Sequence, residues 1–267
     1  SPVNGRRIGN AAGNNGQQTN AVAIGLNAGQ TTQGGSAVAI GQAAGQTNQG
    51  GSAVAIGVSA GNTGQQTNAV AIGANAGQTT QQNSAVAIGL NAGQTTQGPS
   101  AVAIGTSAGN TGQLDNAVAI GQNAGNNGQQ ANAVAIGLNA GQTGQRGQAV
   151  AIGNSAGNNG QLANAVAIGN AAGQINQGPN AVAIGNAAGN SNQTGGSIAL
   201  NASGNTLNPT VAGFFVDPVR SDGGNTNNLV NYNTITRELT ASGKSFIIDH
   251  PLDPVNKYLV HICLEGP

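Results

Sequence analysis

The sequence predicts an all-β protein: a parallel β-solenoid (β-roll) of 16-residue coils, with a small C-terminal β module. Three observations lead there. The word Ala-Val-Ala-Ile-Gly recurs every 16 residues, from 21–25 to 181–185. Between its copies stand mainly Gly, Asn, Gln, Ser, Thr and Ala. Charged residues are 5% of the 267, against about a quarter in ordinary domains, and aromatics are 2%. Disordered low-complexity chains share such a composition, but nothing obliges them to keep a fixed period. A helix is excluded, because the apolar word is short and Gly recurs too often.

Each unit has three parts. In the strand Ala-Val-Ala-Ile, alternation sends Val and Ile to one face and Ala to the other, and the closing Gly suits a bend. Val22, Ile24, Val38, Ile40, Val54, Ile56, Val70 and Ile72 are assigned to the inside of the coil as the repeat core. The Ala-Gly step, as at Ala28-Gly29, reads as a second short extended segment ending in another bend. The polar return carries Gln four positions after that Gly, at Gln33, Gln49, Gln65, Gln81, Gln97 and onward to Gln193. Stacked at about 4.8 Å, these glutamines either form an amide ladder or fill a solvated turn. The variable positions Leu26, Gln42, Val58, Ala74 and Thr106 face water or a lateral partner.

The first unit is imperfect, with Gly5-Arg6-Arg7-Ile8-Gly9 in place of the pentapeptide, and a degenerate unit follows at Ser197-Ile198-Ala199-Leu200-Asn201. Ragged ends around a regular middle are what capping repeats look like. About a dozen coils give a rod on the order of 55–60 Å long. One coil buries few apolar atoms against the entropy of ordering sixteen residues. The flat Ala face is therefore expected to be buried between copies of the chain, with threefold packing a natural closed solution.

Composition changes near residue 200. All five aromatics (Phe214, Phe215, Tyr232, Phe246, Tyr258), both His and the Cys lie beyond it. Residues 1–204 read as the repetitive solenoid, 205–243 as a small β collar and 244–267 as a C-terminal β segment. Asn208-Pro209 is expected to end the solenoid. Val211 to Val219 reads as a strand, and Leu229 to Asn233 and Thr234 to Leu239 as two strands around a turn.

The words NAVAIGLNAGQ and their copies resemble the head repeats of YadA-type trimeric autotransporter adhesins, over roughly residues 5–200. That resemblance implies a left-handed parallel β-roll in which three chains form an obligate trimer; the uniform period of 16 departs from the family. The stretch KSFIIDHPLDPVNKYLVHICLEGP resembles a module near the C-termini of fibre-like proteins of large DNA viruses and of phage and bacterial tail fibres. It implies a fibre, and the pattern normally continues beyond Gly266-Pro267, so cleavage or truncation is expected there. The start, SPVNGRR, reads as a processed or truncated chain without a secretory signal.

Net charge is zero and no basic stripe exists, so nucleic-acid binding has no electrostatic footing. No apolar run is long enough to span a membrane. The single Cys263 excludes an intrachain disulfide. No catalytic, cofactor or metal residues are assigned. Asp249, His250, His261 and Cys263 are read as structural, since a zinc site needs four ligands and a nucleophilic Cys a positioned base. Asp249 and Asp253 read as turn formers. Asp115, Arg146, Leu114 and Leu162 break the repeat locally and read as drift on exposed loops.

The function expected is a structural fibre or adhesin: an extracellular rod on a cell or virion surface that meets a host glycan or protein through many weak polar contacts. A self-assembling filament of trimers joined end to end is the alternative. Ice binding needs a regular Thr face; Thr31, Thr79, Thr95, Thr111 and Thr143 recur, but Asn127 and Asn159 interrupt them.

Overall fold

The computed structural model describes residues 4–219, 228–243, 246–249 and 258–261. The described residues contain strands and turns and no helix. The chain divides into two compact units, Ser1–Pro218 and Val219–Pro267.

The first unit is a parallel β-solenoid. One sheet of 14 strands runs its whole length, and its strands pair strictly in sequence order. Register follows the 16-residue period: Val22 lies beside Val38, Ala23 beside Ala39 and Ile24 beside Ile40. The imperfect first repeat obeys it, with Arg6 beside Val22 and Ile8 beside Ile24. A second, narrower wall stacks the polar returns. It contains the strands Thr31–Gln33 and Thr47–Gln49, then Thr79–Gln81, Thr95–Gln97 and Thr111–Gln113. Single bridges connect the remaining levels. The second extended segment of each coil thus lies in the polar return, and the Ala-Gly step expected to supply it is a turn.

Which face turns inward is the reverse of the expectation. Ala21, Ala23 and Ala28, with their equivalents from coil to coil, are wholly buried and form the core. Val22, Ile24, Val38, Ile40, Val54 and Val70 are half-buried on the outer side, and Ile56 and Ile72 are exposed. The reason is width. The space between the two walls is already taken by the glutamine side chains. A Cβ on Gly29 would sit 2.7 Å from Gln33 Cδ, and one on Gly45 2.6 Å from Gln49 Cδ. Beside that carboxamide there is room for a methyl group and none for Val or Ile. The Ala face therefore cannot be a seam between chains, because it is the inside of one chain.

The glycine that closes each strand answers a second constraint. Gly25 has φ +127°, and a Cβ there would lie 2.6 Å from the carbonyl oxygen of Gly41 in the next coil. Only Gly allows the coils to stack so closely at that bend.

The solenoid also extends further than expected. After Asn208-Pro209 the strand Gly213–Asp217 joins the sheet, pairing with Ser197–Asn201 so that Ile198 lies beside Phe214. The Pro209 carbonyl accepts from Thr194 N at 3.1 Å, so the proline is built into the stack.

In the second unit, Asn228–Tyr232 and Leu239–Gly243 form an antiparallel hairpin. Asn233 Oδ1 accepts from Ile235 N at 2.8 Å and Thr236 N at 3.0 Å, so most of the Thr234 to Leu239 stretch expected as a strand is the turn. Phe246–Asp249 pairs antiparallel with Tyr258–His261.

Candidate functional site

The polar residues that recur in the sequence become two amide ladders. The first is internal. Twelve glutamines, from Gln17 to Gln193, are buried in one column. Each Nε2 donates to the Oε1 of the glutamine one coil on, at 3.0–3.1 Å over all eleven steps. The same Nε2 approaches two backbone carbonyls. Gln97 Nε2 lies 2.8 Å from Val86 O and 3.2 Å from Ala101 O. Gln33, Gln49, Gln65, Gln81 and Gln97 all stand in this ladder, and the solvated-turn reading does not describe them. No buried side-chain N or O among the described residues is left without a partner.

Both ends of the column are closed. At the first coil Arg7 Nε donates to Gln17 Oε1. At the last, Gln193 Nε2 donates to Ser197 Oγ at 3.1 Å. All carboxamides point the same way, so the column carries its oxygen ends toward the N-terminal coil, where the guanidinium sits.

The second ladder is made of shorter, interrupted runs, lies three residues earlier in the coil and runs the other way. Gln46 Nε2 donates to Gln30 Oε1 at 2.9 Å, and Asn62 Nδ2 to Gln46 Oε1 at 3.0 Å. Gln94 to Gln78 and Asn110 to Gln94 repeat it at 3.0 Å. Here the later coil is the donor. The dipoles of the two ladders therefore oppose each other. Asn158 to Gln142 and Asn190 to Gln174 complete the set, and in each of these bonds the acceptor is a Gln, so either amide donates but the longer one receives. The sequence reading missed this column because Gln and Asn alternate irregularly in it.

Outside the polar wall, Thr31, Thr47, Thr63, Thr79, Thr95 and Thr111 occupy one column over six successive coils, followed by Asn127, Thr143 and Asn159. An open depression beside it is lined by amides and hydroxyls, among them Asn48, Gln66, Thr67, Thr80 and Asn83.

The opposite wall presents the other candidate surface. Val and Ile form two parallel columns on the outer face of the 14-stranded sheet. Ile56, Ile72, Ile104, Ile152, Ile168 and Ile184 are 36–40% exposed. Leu26, Val58, Leu90 and Leu138 add to the rim of the face at the variable position. Asp115 and Arg146 are exposed and stand away from this face, on the polar return.

Among the described residues no three His, Cys, Asp or Glu side chains come together in a way that could hold a metal ion. No helix there is long and apolar enough to cross a membrane. Asp249 and His261 lie on the paired strands of the second unit, and His250, Asp253 and Cys263 fall outside the described residues. Set against family models, curated proteins and solved structures, the chain matches none of them.

Proposed function

We propose that the chain is a structural, adhesive element: a rod that assembles laterally as a homotrimer and meets a host or neighbouring surface through its polar wall. The observation that carries this reading is the Val–Ile face. It is continuous over the 14-stranded sheet and unpartnered among the described residues of the solenoid. At roughly 100 Å² of exposed apolar side chain per coil, it amounts to about 1,000 Å² per copy, which is the scale of a specific interface and beyond what a monomer ordinarily leaves bare. Residues 5–200 carry four charges, Arg6, Arg7, Asp115 and Arg146, so little repulsion opposes association. A surface matching this face along its whole length must share its repeat of about 4.8 Å. A second copy of the chain does so automatically, and a closed ring of copies leaves no apolar face exposed.

In this arrangement the amide and hydroxyl wall faces outward. Its side chains form many similar, individually weak donor and acceptor sites, suited to glycan or protein surfaces engaged by avidity. The work is binding and mechanical rather than catalytic, at a cell or virion exterior.

Light scattering after size exclusion tests the assembly. A mass near three times 25.7 kDa is expected. Ile104→Asp, a charge placed at a 36% exposed seam position, is expected to give a folded monomer. A monomeric wild-type chain overturns the reading. The trimer, once seen, is the form to test against glycan arrays and host surfaces, with the monomeric variant expected to lose binding through lost avidity.

Ice binding is the second reading, favoured by the six successive threonines of the outer column. Thermal hysteresis measured on the wild-type chain and on Thr79→Val/Thr95→Val decides it.

A further inference from the structure

The 16-residue period does not end where the pentapeptide does. It runs on through Ile198 to Phe214, so the outer Val column finishes Val182, Ile198, Phe214. The outer Ile column finishes Ile184, Leu200, Val216, and the inner column Ala183, Ala199, Phe215. Strand alternation sends the two adjacent phenylalanines to opposite faces. Phe215, in the inner column, is half-buried at the end of the alanine core. Phe214, in the outer column, is 55% exposed, with Ile198 at 40% and Val216 at 43% beside it.

This geometry bears on a difficulty within lateral assembly. The Val and Ile columns look the same from coil to coil. Sliding one copy past another by one coil, about 4.8 Å, replaces each Val and Ile contact by an identical one. Over the eleven identical Val-Ala-Ile strands from Val22 to Ile184 the axial register is almost degenerate. It must be fixed by what does not repeat: the scattered rim side chains Leu26, Val58, Leu90 and Leu138, the first coil with Arg6 and Ile8, and the C-terminal end, where the largest apolar side chain of the face stands.

We propose that Phe214, with Ile198 and Val216, sets the axial register of the assembly by meeting the same residues of the neighbouring copies at the C-terminal end of the seam. Only the unshifted arrangement brings every Phe214 to one level, where the large rings bury one another. Any shift leaves each ring against Val or solvent. The occupant is a second copy of this chain, argued from the unbroken continuation of the Val–Ile columns into these residues. The inference rests on the lateral assembly proposed above.

The test reads register separately from mass. In the full chain carrying Cys263→Ser, a nitroxide label is attached at Arg146→Cys, an exposed position off the seam. Distances between labels are measured by pulsed electron resonance, and mass by light scattering. The Phe214-containing chain is expected to give a trimer with one narrow distance peak. Phe214→Ser is expected to keep its β-sheet circular dichroism, to lose the single peak to a spread toward longer distances, and to raise the dissociation midpoint at least about tenfold. Phe214→Leu, which restores an apolar side chain, is expected to recover a narrower peak. An oligomer whose peak is unchanged in Phe214→Ser overturns the register role and leaves lateral assembly standing. A monomer with Phe214 in place overturns both.

Discussion

Replacing Gln97 by Leu is the sharpest probe of what holds the solenoid together. Gln97 is wholly buried. Its Oε1 accepts from Gln81 Nε2 at 3.0 Å, and its Nε2 faces Gln113 Oε1 at 3.1 Å, Val86 O at 2.8 Å and Ala101 O at 3.2 Å. Leucine removes all of these. The Ala101 carbonyl keeps its bond from Val86 N at 2.9 Å, and Gln81 Nε2 keeps Val70 O and Ala85 O. Gln113 Oε1 loses its donor and stays buried. The lost bonds at about 1 kcal/mol each, and one orphaned acceptor at about 1–3 kcal/mol, exceed the gain from burying Leu by about 2–3 kcal/mol.

For a unit of this size such a loss lowers the thermal midpoint by about 5–10 °C. Because coils interact mainly with their neighbours, hydrogen exchange should rise most in peptides covering residues 81–117. Gln42→Leu is the control, since Gln42 is exposed and Leu already stands at the equivalent positions 26 and 90; it should change stability by less than about 0.5 kcal/mol. The double variant Gln97→Leu/Gln113→Leu adds a second test. It breaks the shared bond only once and still orphans a single acceptor, on Gln129. It should cost less than the sum of its parts by about 2–4 kcal/mol. A Gln97→Leu variant no weaker than Gln42→Leu, or strictly additive costs, would refute the ladder as a cohesive element.

Three further outcomes are expected. Gln97→Glu places a carboxyl against three oxygens, Val86 O, Ala101 O and Gln113 Oε1, so burial and repulsion hold its folded pKa above the unfolded value of about 4.3. The folded state then binds the extra proton. Thermal midpoints measured against pH should therefore be highest below about 4.3 and fall as pH rises toward the folded pKa. Gly105→Ala and Gly112→Ala separate two demands on glycine. A Cβ at Gly105, φ +124°, would meet Gly121 C and O at 2.8 Å, whereas one at Gly112, φ +68°, meets nothing within 4 Å. The second should cost about 1–2 kcal/mol in denaturation, and the first should open the coil to proteolysis. Thr80 sits at φ +54°, a strained place for a β-branched residue, in a column that holds Gly at 64 and 112, Asn at 48 and 176, and Thr again at 32 and 96. Thr80→Asn should raise stability by up to about 1 kcal/mol.

Much of this fold was legible because the period is a statement about stacking. Sixteen residues between copies of one word fixes register, and the recurrence of Gln at a single position marks a place where like must meet like. Which face turns inward was not legible. Alternation says that Val22 and Ala23 point oppositely; it does not say how far apart the two walls stand. That width is set by Gln33 lying against Gly29, a contact visible only once the coil is closed. The last repeat was legible in principle. Counting 16 from Ser197 arrives at Gly213, but Phe215 in place of Ala and the preceding Asn208-Pro209 disguise it. The Gln30 to Asn190 column was hidden by its mixed amides.

The inversion of the usual pattern has a consequence for how the chain achieves stability. An ordinary domain puts its largest apolar side chains inside, because two layers stand far enough apart to hold them. Here the walls are bridged by carboxamides, and the interior is methyl groups, glycine and a hydrogen-bonded column. Cohesion inside the coil is thus largely polar and directional, which enforces register from one coil to the next. The non-directional term, the burial of Val and Ile, is displaced to the outer face. There it remains unrealised in a single chain and becomes available to association. On this division of roles, substitutions in the glutamine column should weaken the coil whether or not copies associate. Substitutions in the Val–Ile columns should weaken association while leaving the isolated coil nearly unchanged. Measuring both effects on Gln97→Leu and Ile104→Asp, by denaturation and by native mass, would show whether the two forms of cohesion are separable.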